Sequence, residues 1–203
     1  LGEAEKRRVA FHESGHALLA WLLPNTDPLE KVTIIPRGRS LGATEQVPEV
    51  ERYNLSESYL KDRITVMLGG RVSEKLVFGE TSSGAESDLQ QATGLARHMV
   101  SRWGMSEKLG PAAFPRGEDH PFLGREIAQP RNFSEHTARL IDDEVRALIG
   151  RLEEDATSLL EQHSSQLEAL ANALLERESL EGPEIRDLLA KCGKEAITPS
   201  AST

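Results

Sequence analysis

Val9, His12, Glu13, His16, Leu19 and Leu23 recur at helical spacing, which predicts a single helix over residues 3 to 23 that Pro24 closes. The pattern then changes period. Residues 31 to 36 (Lys-Val-Thr-Ile-Ile-Pro) form a short β-branched run ended by Pro36, the best strand candidate in the chain. Glycine, proline and charge dominate from there to Tyr53, with room for a second short strand near 41–47. Asn54 followed by Glu57 has capping spacing and predicts a helix over 56 to 78. Gly69 and Gly70 lie inside it, at a cost of roughly 1 kcal/mol each relative to alanine. That cost points to a close helix contact that tolerates no side-chain bulk. Ser83-Gly84-Ala85-Glu86 predicts a third helix running to about Arg102, with Asp88 near its first turn.

Residues 104 to 133, rich in Gly, Pro and charge, read as loop. The last third is strongly helical. Ile141, Val145, Leu148, Leu152 and Leu159, then Leu167, Leu170 and Leu174, mark apolar stripes on two helices that break near Ser164 and Ser165. Gly182-Pro183 opens a short final helix to about Lys191. The expected fold is mainly α, with a small β element and a helical C-terminal region. The expected layout is one domain over 1–192, with a core over about 1–133, a helical part over about 134–192, and a disordered tail over 193–203.

Composition narrows the function classes. The chain has 203 residues, 38% hydrophobic and 28% charged, enough for one well-buried domain. A net charge of −9 argues against a nucleic-acid partner. No apolar run reaches the ~20 residues of a membrane span, so no membrane contact by these residues is expected. The lone Cys192 cannot pair within the chain, which fits a reducing compartment. A start at Leu1 instead of Met is expected of a piece of something longer.

The chemistry concentrates in His12-Glu13-Ser14-Gly15-His16, an HExxH motif. Four residues at ~100° each bring both imidazoles to one helix face, a turn apart, where they can share a tetrahedral ion. Glu13 lies about 100° from His12, beside the position where a metal-polarised water would sit and lose its proton to a carboxylate. The bland alternative is a helix with two unrelated histidines. The third protein ligand is open on spacing alone. Leu19 and Leu22 stand where a metzincin would have Gly and His, which leaves Glu74, Glu80, Glu86 and Asp88. Glu74 could be a ligand or the partner of an imidazole N–H. Asp88 could equally be a helix-dipole partner. His98, His120, His136 and His163 have no ligand spacing to one another, Cys192 reads as a passive small hydrophobe, and Glu153-Glu154-Asp155 as a solvated face.

Several segments, in order, resemble the peptidase domain of the FtsH family, peptidase family M41. They are 11–17, 32–38, Gly69-Gly70-Arg71, 83–89 with Ala92-Thr93, 105–110, Phe122-Leu123-Gly124-Arg125 and Thr137-Ala138-Arg139. The resemblance covers about residues 3 to 190. It implies that His12, His16 and Asp88 hold one zinc ion per chain and that Glu13 is the general base. It also implies a homo-hexameric, membrane-anchored protease that degrades unfolded or misassembled proteins, with an AAA+ ATPase module N-terminal to this domain. The compartment implied is an inner or organelle membrane, with this domain on the cytoplasmic, stromal or matrix side. ATP would act only through that module, since no G-x-x-x-x-G-K-[ST] loop occurs in the 203 residues. Ser14 departs from the family's usual alanine, and the stretch between Gly42 and Leu55 diverges.

An extended substrate needs backbone pairing. Val32, Thr33, Ile34 and Ile35 are the expected edge for strand addition, against the alternative of a core strand with no free edge. The competing function is a catalytically silent helical oligomerisation or interaction module. The intact set of His12, Glu13, His16 and Asp88 speaks against it.

Overall fold

The computed structural model describes residues 1–114 and 133–195. Of the tail expected over 193–203, residues 193–195 are helical and the rest lies outside the described residues, as do most of the loop over 104–133, His120, and the resemblance at Phe122 to Arg125.

The molecule is mainly α with one small antiparallel sheet. Helix α1 spans Glu3–Leu22 and α2 spans Glu57–Phe78. They cross at glycines. A Cβ built on Gly15 would overlap the Gly69 carbonyl oxygen, and one on Gly69 would lie 2.7 Å from the Gly15 carbonyl oxygen. A Cβ on Gly70 would come 2.5 Å from Cε1 of His12. Real side chains cannot occupy such space, so the two backbones touch directly and the His12 ring packs against the bare backbone at Gly70. The glycine pair in α2 is therefore explained by packing, and Gly15 is its counterpart across the interface.

Ser56, not Asn54, caps α2, accepting from the Tyr59 amide. Ser82, not Ser83, caps the next segment, a single 3-10 turn over Ser83–Ala85 that leads into α3, Glu86–Ser101. Both shifts exchange one capping-competent residue for another within two positions. Helix α4 runs Glu135–Gln162, capped by Ser134, and α5 runs Ser164–Arg177. The break falls at His163, whose Nδ1 hydrogen-bonds the Leu159 carbonyl oxygen. Helix α6 covers Gly182–Glu195.

The sheet comprises β1 (Leu29–Thr33), β2 (Ala43–Gln46) and β3 (Ser179–Glu181), in the order β2-β1-β3. Strand β3 has no sequence signal: three residues between two helices are too short for a period to register. It sits opposite Lys31, Val32 and Thr33, while β2 sits opposite Leu29, Lys31, Val32 and Thr33. The strand expected to offer a free edge is thus the central one. Val32, Thr33 and Ile34 are 0%, 1% and 2% exposed, and only Ile35 is open, at 45%. The Thr33 hydroxyl and the Ile34 amide both donate to the Glu178 carbonyl. Strand addition at Val32, Thr33 and Ile34 is therefore blocked. Among the described residues, β2 and β3 are the outer strands, and β2 leaves an edge open on the side facing away from β1.

Two apolar clusters hold the fold together. One joins α1, β1, the end of α4, α5, Leu180 of β3 and α6, with Leu18, Leu19, Leu160, Leu170 and Leu174 fully buried. The other joins Leu60, Ile64 and Leu68 of α2 with Ala92, Ala96 and Met99 of α3 and the first half of α4. Each buried leucine or isoleucine contributes about 1.5–3 kcal/mol by leaving water. Each cluster draws residues from both sides of residue 133, and α4 contributes to both.

Candidate metal centre

The site forms where α1, α2 and α3 meet. His12 and His16 stand one turn apart on α1, and their Nε2 atoms are 3.1 Å from each other. Asp88, in the first turn of α3, places Oδ2 3.1 Å from His12 Nε2 and 3.3 Å from His16 Nε2. The ligand atoms of these three residues all lie within 4.8 Å of one another, the only such group of three among the described residues.

The outer nitrogens fix the rings. His12 Nδ1 is 2.7 Å from Glu74 Oε1, and His16 Nδ1 is 2.7 Å from the Val66 carbonyl oxygen. An oxygen acceptor at each Nδ1 puts the N–H there, which leaves the lone pair of each neutral ring on Nε2. Glu74 is itself held. Arg8 donates to its Oε2 at 3.1 Å and the Ser82 hydroxyl to its Oε1 at 3.1 Å. Glu74 thus sits behind His12 and does not join the three converging atoms; Glu80 pairs with Arg8 instead.

This donor set fits a cation. Two imidazole lone pairs and a carboxylate oxygen at 3.1–3.3 Å repel one another unless positive charge lies among them. Two nitrogens and one oxygen suit zinc better than calcium or magnesium, which prefer all-oxygen shells. In the chain alone a proton takes that role. Burial disfavours the charged His12 ring, but the bonds to Asp88 and Glu74 and the nearby Glu13 charge outweigh it, raising its pKa to about 9. Burial likewise raises Glu74, yet the His12, Ser82 and Arg8 donors win and hold it down to about 2. Asp88 is pulled well below the usual carboxylate range, the His12 and His16 bonds outweighing its burial.

Glu13 is buried beside this cluster and turns towards the sheet. The Thr44 hydroxyl, on β2, donates to Glu13 Oε2 at 2.7 Å. Gly42 closes the other side, where a Cβ would lie 2.8 Å from both Cγ and Oε1 of Glu13. Thr44, Gly42, Arg8 and Ser82 carry no motif, and sequence reasoning had no signal for them. Their roles depend on contacts between distant segments. Of the other histidines, His98 packs edge-on against Trp103 and His163 closes α4.

The family model for peptidase family M41 matches residues 1–188. The chain is 60% identical over 188 residues to a protein of Nitrosococcus oceani named ATP-dependent zinc metalloprotease FtsH, covering 93% of this chain and 29% of that protein. Proteins of the same name from Hahella chejuensis and Marinobacter nauticus are 53% and 50% identical. They cover 91% of this chain each, and 30% and 29% of their own lengths. The chain therefore spans less than a third of the length of these relatives.

Proposed function

This chain belongs to peptidase family M41, and from that premise we propose that it is a zinc metalloendopeptidase domain, one unit over residues 1–192, which cuts unfolded polypeptide. The observation that carries the proposal is the convergence of His12 Nε2, His16 Nε2 and Asp88 Oδ2 beside Glu13. These three atoms would hold one zinc ion. When bound, the ion supplies a Lewis acid that acidifies water and stabilises negative charge on a carbonyl oxygen. The Glu13 carboxylate takes the proton of the attacking water and returns it to the departing amine nitrogen. Glu74 keeps the N–H of His12 on Nδ1, so Nε2 stays a lone-pair donor.

The substrate lies extended along the outer edge of β2, the free edge beside Glu13. Leu41 and Val47 bracket that strand and are exposed, which suits apolar side chains of an unfolded chain. ATP dependence, membrane anchoring and a six-membered ring belong, in this reading, to a longer protein. There an ATPase module opens folded substrates, work of ~5–15 kcal/mol for a typical domain. No helix among the described residues is long and apolar enough to cross a membrane.

The test is hydrolysis of casein without nucleotide. The zinc-loaded chain should cut it slowly, and Glu13→Gln should lose about 10²–10⁴-fold in rate while keeping its zinc. Efficient cleavage by Glu13→Gln, or none by the zinc-loaded parent, would refute the reading.

A further inference from the structure

Thr44 faces two ways. Its side-chain hydroxyl donates to Glu13 Oε2 at 2.7 Å and lies 3.2 Å from the Glu13 carbonyl oxygen. Its main-chain N–H and C=O lie in the plane of the sheet, across the direction of the side chain. The Val47 amide bonds inward to the Pro28 carbonyl at 3.1 Å. Amide direction alternates along an antiparallel strand, and the one irregularity in the ladder falls between Leu29 and Lys31 on β1, which leaves β2 regular. Ala43 and Glu45 therefore bond towards β1, while Thr44 and Gln46 direct N–H and C=O to the free edge. One residue thus grips the carboxylate with its side chain and offers its backbone to an incoming strand.

The grip is specific. A glutamate has three rotatable side-chain bonds, so its carboxylate plane turns freely unless its neighbours hold it. Here the Thr44 hydroxyl engages Oε2, and the bare Gly42 backbone closes on Cγ and Oε1. With one oxygen engaged by a donor, the other remains the proton acceptor. The Gln46 side chain donates to the Asp27 carbonyl at 2.7 Å, which ties the far end of β2 to the body of the domain.

We infer that Thr44 is a positioning residue for Glu13, and that it couples seating of a peptide on the β2 edge to alignment of the base. The inference rests on the assignment of Glu13 as base. It goes beyond that assignment by locating the control of base geometry in the strand that receives substrate.

The test is Thr44→Val, which keeps the shape and the β-branched backbone preference but removes the donor. With casein or an unstructured peptide as substrate, kcat should fall by about 10- to 100-fold, the size of one hydrogen bond to a charged group. KM should change by less than about threefold, because the edge N–H and C=O remain. Zinc content should be unchanged. Thr44→Ser should recover most of kcat. The pair Thr44→Ser and Thr44→Ala differs only by the hydroxyl, and it makes the same comparison should valine disturb the strand. Three results overturn the inference: kcat within about twofold of the parent for valine and alanine, serine as impaired as alanine, or a loss confined to KM. If the zinc-loaded parent itself fails to cut, the assignment of Glu13 falls and this inference falls with it. An active parent that is indifferent to Thr44 sinks the positioning role alone.

Discussion

The two sides of the site are built differently. On the helical side, α1 and α2 touch backbone to backbone at Gly15, Gly69 and Gly70, and each imidazole has its Nδ1 tied to a buried oxygen. On the sheet side, Glu13 meets one hydroxyl of a four-residue edge strand and the glycine just before it. The ligand face is set by the core of the fold. Glu13, the proposed base, depends on an element that the core barely covers. This division separates metal capture from catalysis: the first should survive changes that abolish the second. It also separates what must be rigid from what must admit a substrate, since a strand with a free edge can accept another only if nothing covers it.

The sharpest way to break the helical side is Gly15→Ala. The added methyl collides with the Gly69 carbonyl, and both partners are backbone, so the helices must part. Overpacking of this kind costs about 1–3 kcal/mol or more. With about 2–4 °C lost per kcal/mol in a domain of this size, thermal denaturation should show a drop of several degrees, along with weakened zinc binding. An unchanged melting temperature would mean that the helices have slack there.

Glu74→Ala tests the same side more gently. It removes the acceptor that holds His12 Nδ1 and leaves Arg8 and Ser82 without their shared partner. Loss of such an outer partner typically lowers metal affinity about 10–100-fold, which competition with a chromogenic chelator measures. Affinity equal to the parent's would show that α1 alone sets the ring.

The remaining effect is on pH. In metal-stripped protein the folded-state pKa of His12, about 9, lies above its ordinary 6.5. The folded chain then holds the proton more tightly than the unfolded chain. That contribution to stability is full below pH 6.5 and fades as pH rises through 9. Zinc needs the neutral ring, so its stabilisation runs the other way and grows with pH over the same window. Melting curves at pH 6 and pH 9, with and without zinc, should show slopes of opposite sign. Parallel slopes would place His12 outside the metal site.

The same two sides explain what the sequence could disclose. The convergence of His12 and His16 was legible because a spacing of four residues in a helix fixes a direction, whatever the rest of the chain does. The Gly69-Gly70 pair announced a close contact, though not that Gly15 was its partner. Asp88 was one of four acids until family resemblance singled it out, because its distance from α1 is set by the packing of α3. The sheet was the least legible. Which strand is central depends on Ser179–Glu181, far along the chain, and strand pairing leaves little local trace. The expected substrate edge at Val32 to Ile34 failed for that reason, and Thr44 stayed hidden for the same one.

A zinc face preset by the fold must form whether or not the base is intact. Metal analysis of the purified chain after zinc is offered and excess removed tests it most directly, run beside Glu13→Gln and Asp88→Ala. The expected result is about one zinc per chain for the parent and for Glu13→Gln, by three-ligand coordination, and a large loss for Asp88→Ala. Failure of the parent to retain zinc, or full retention by Asp88→Ala, would contradict it.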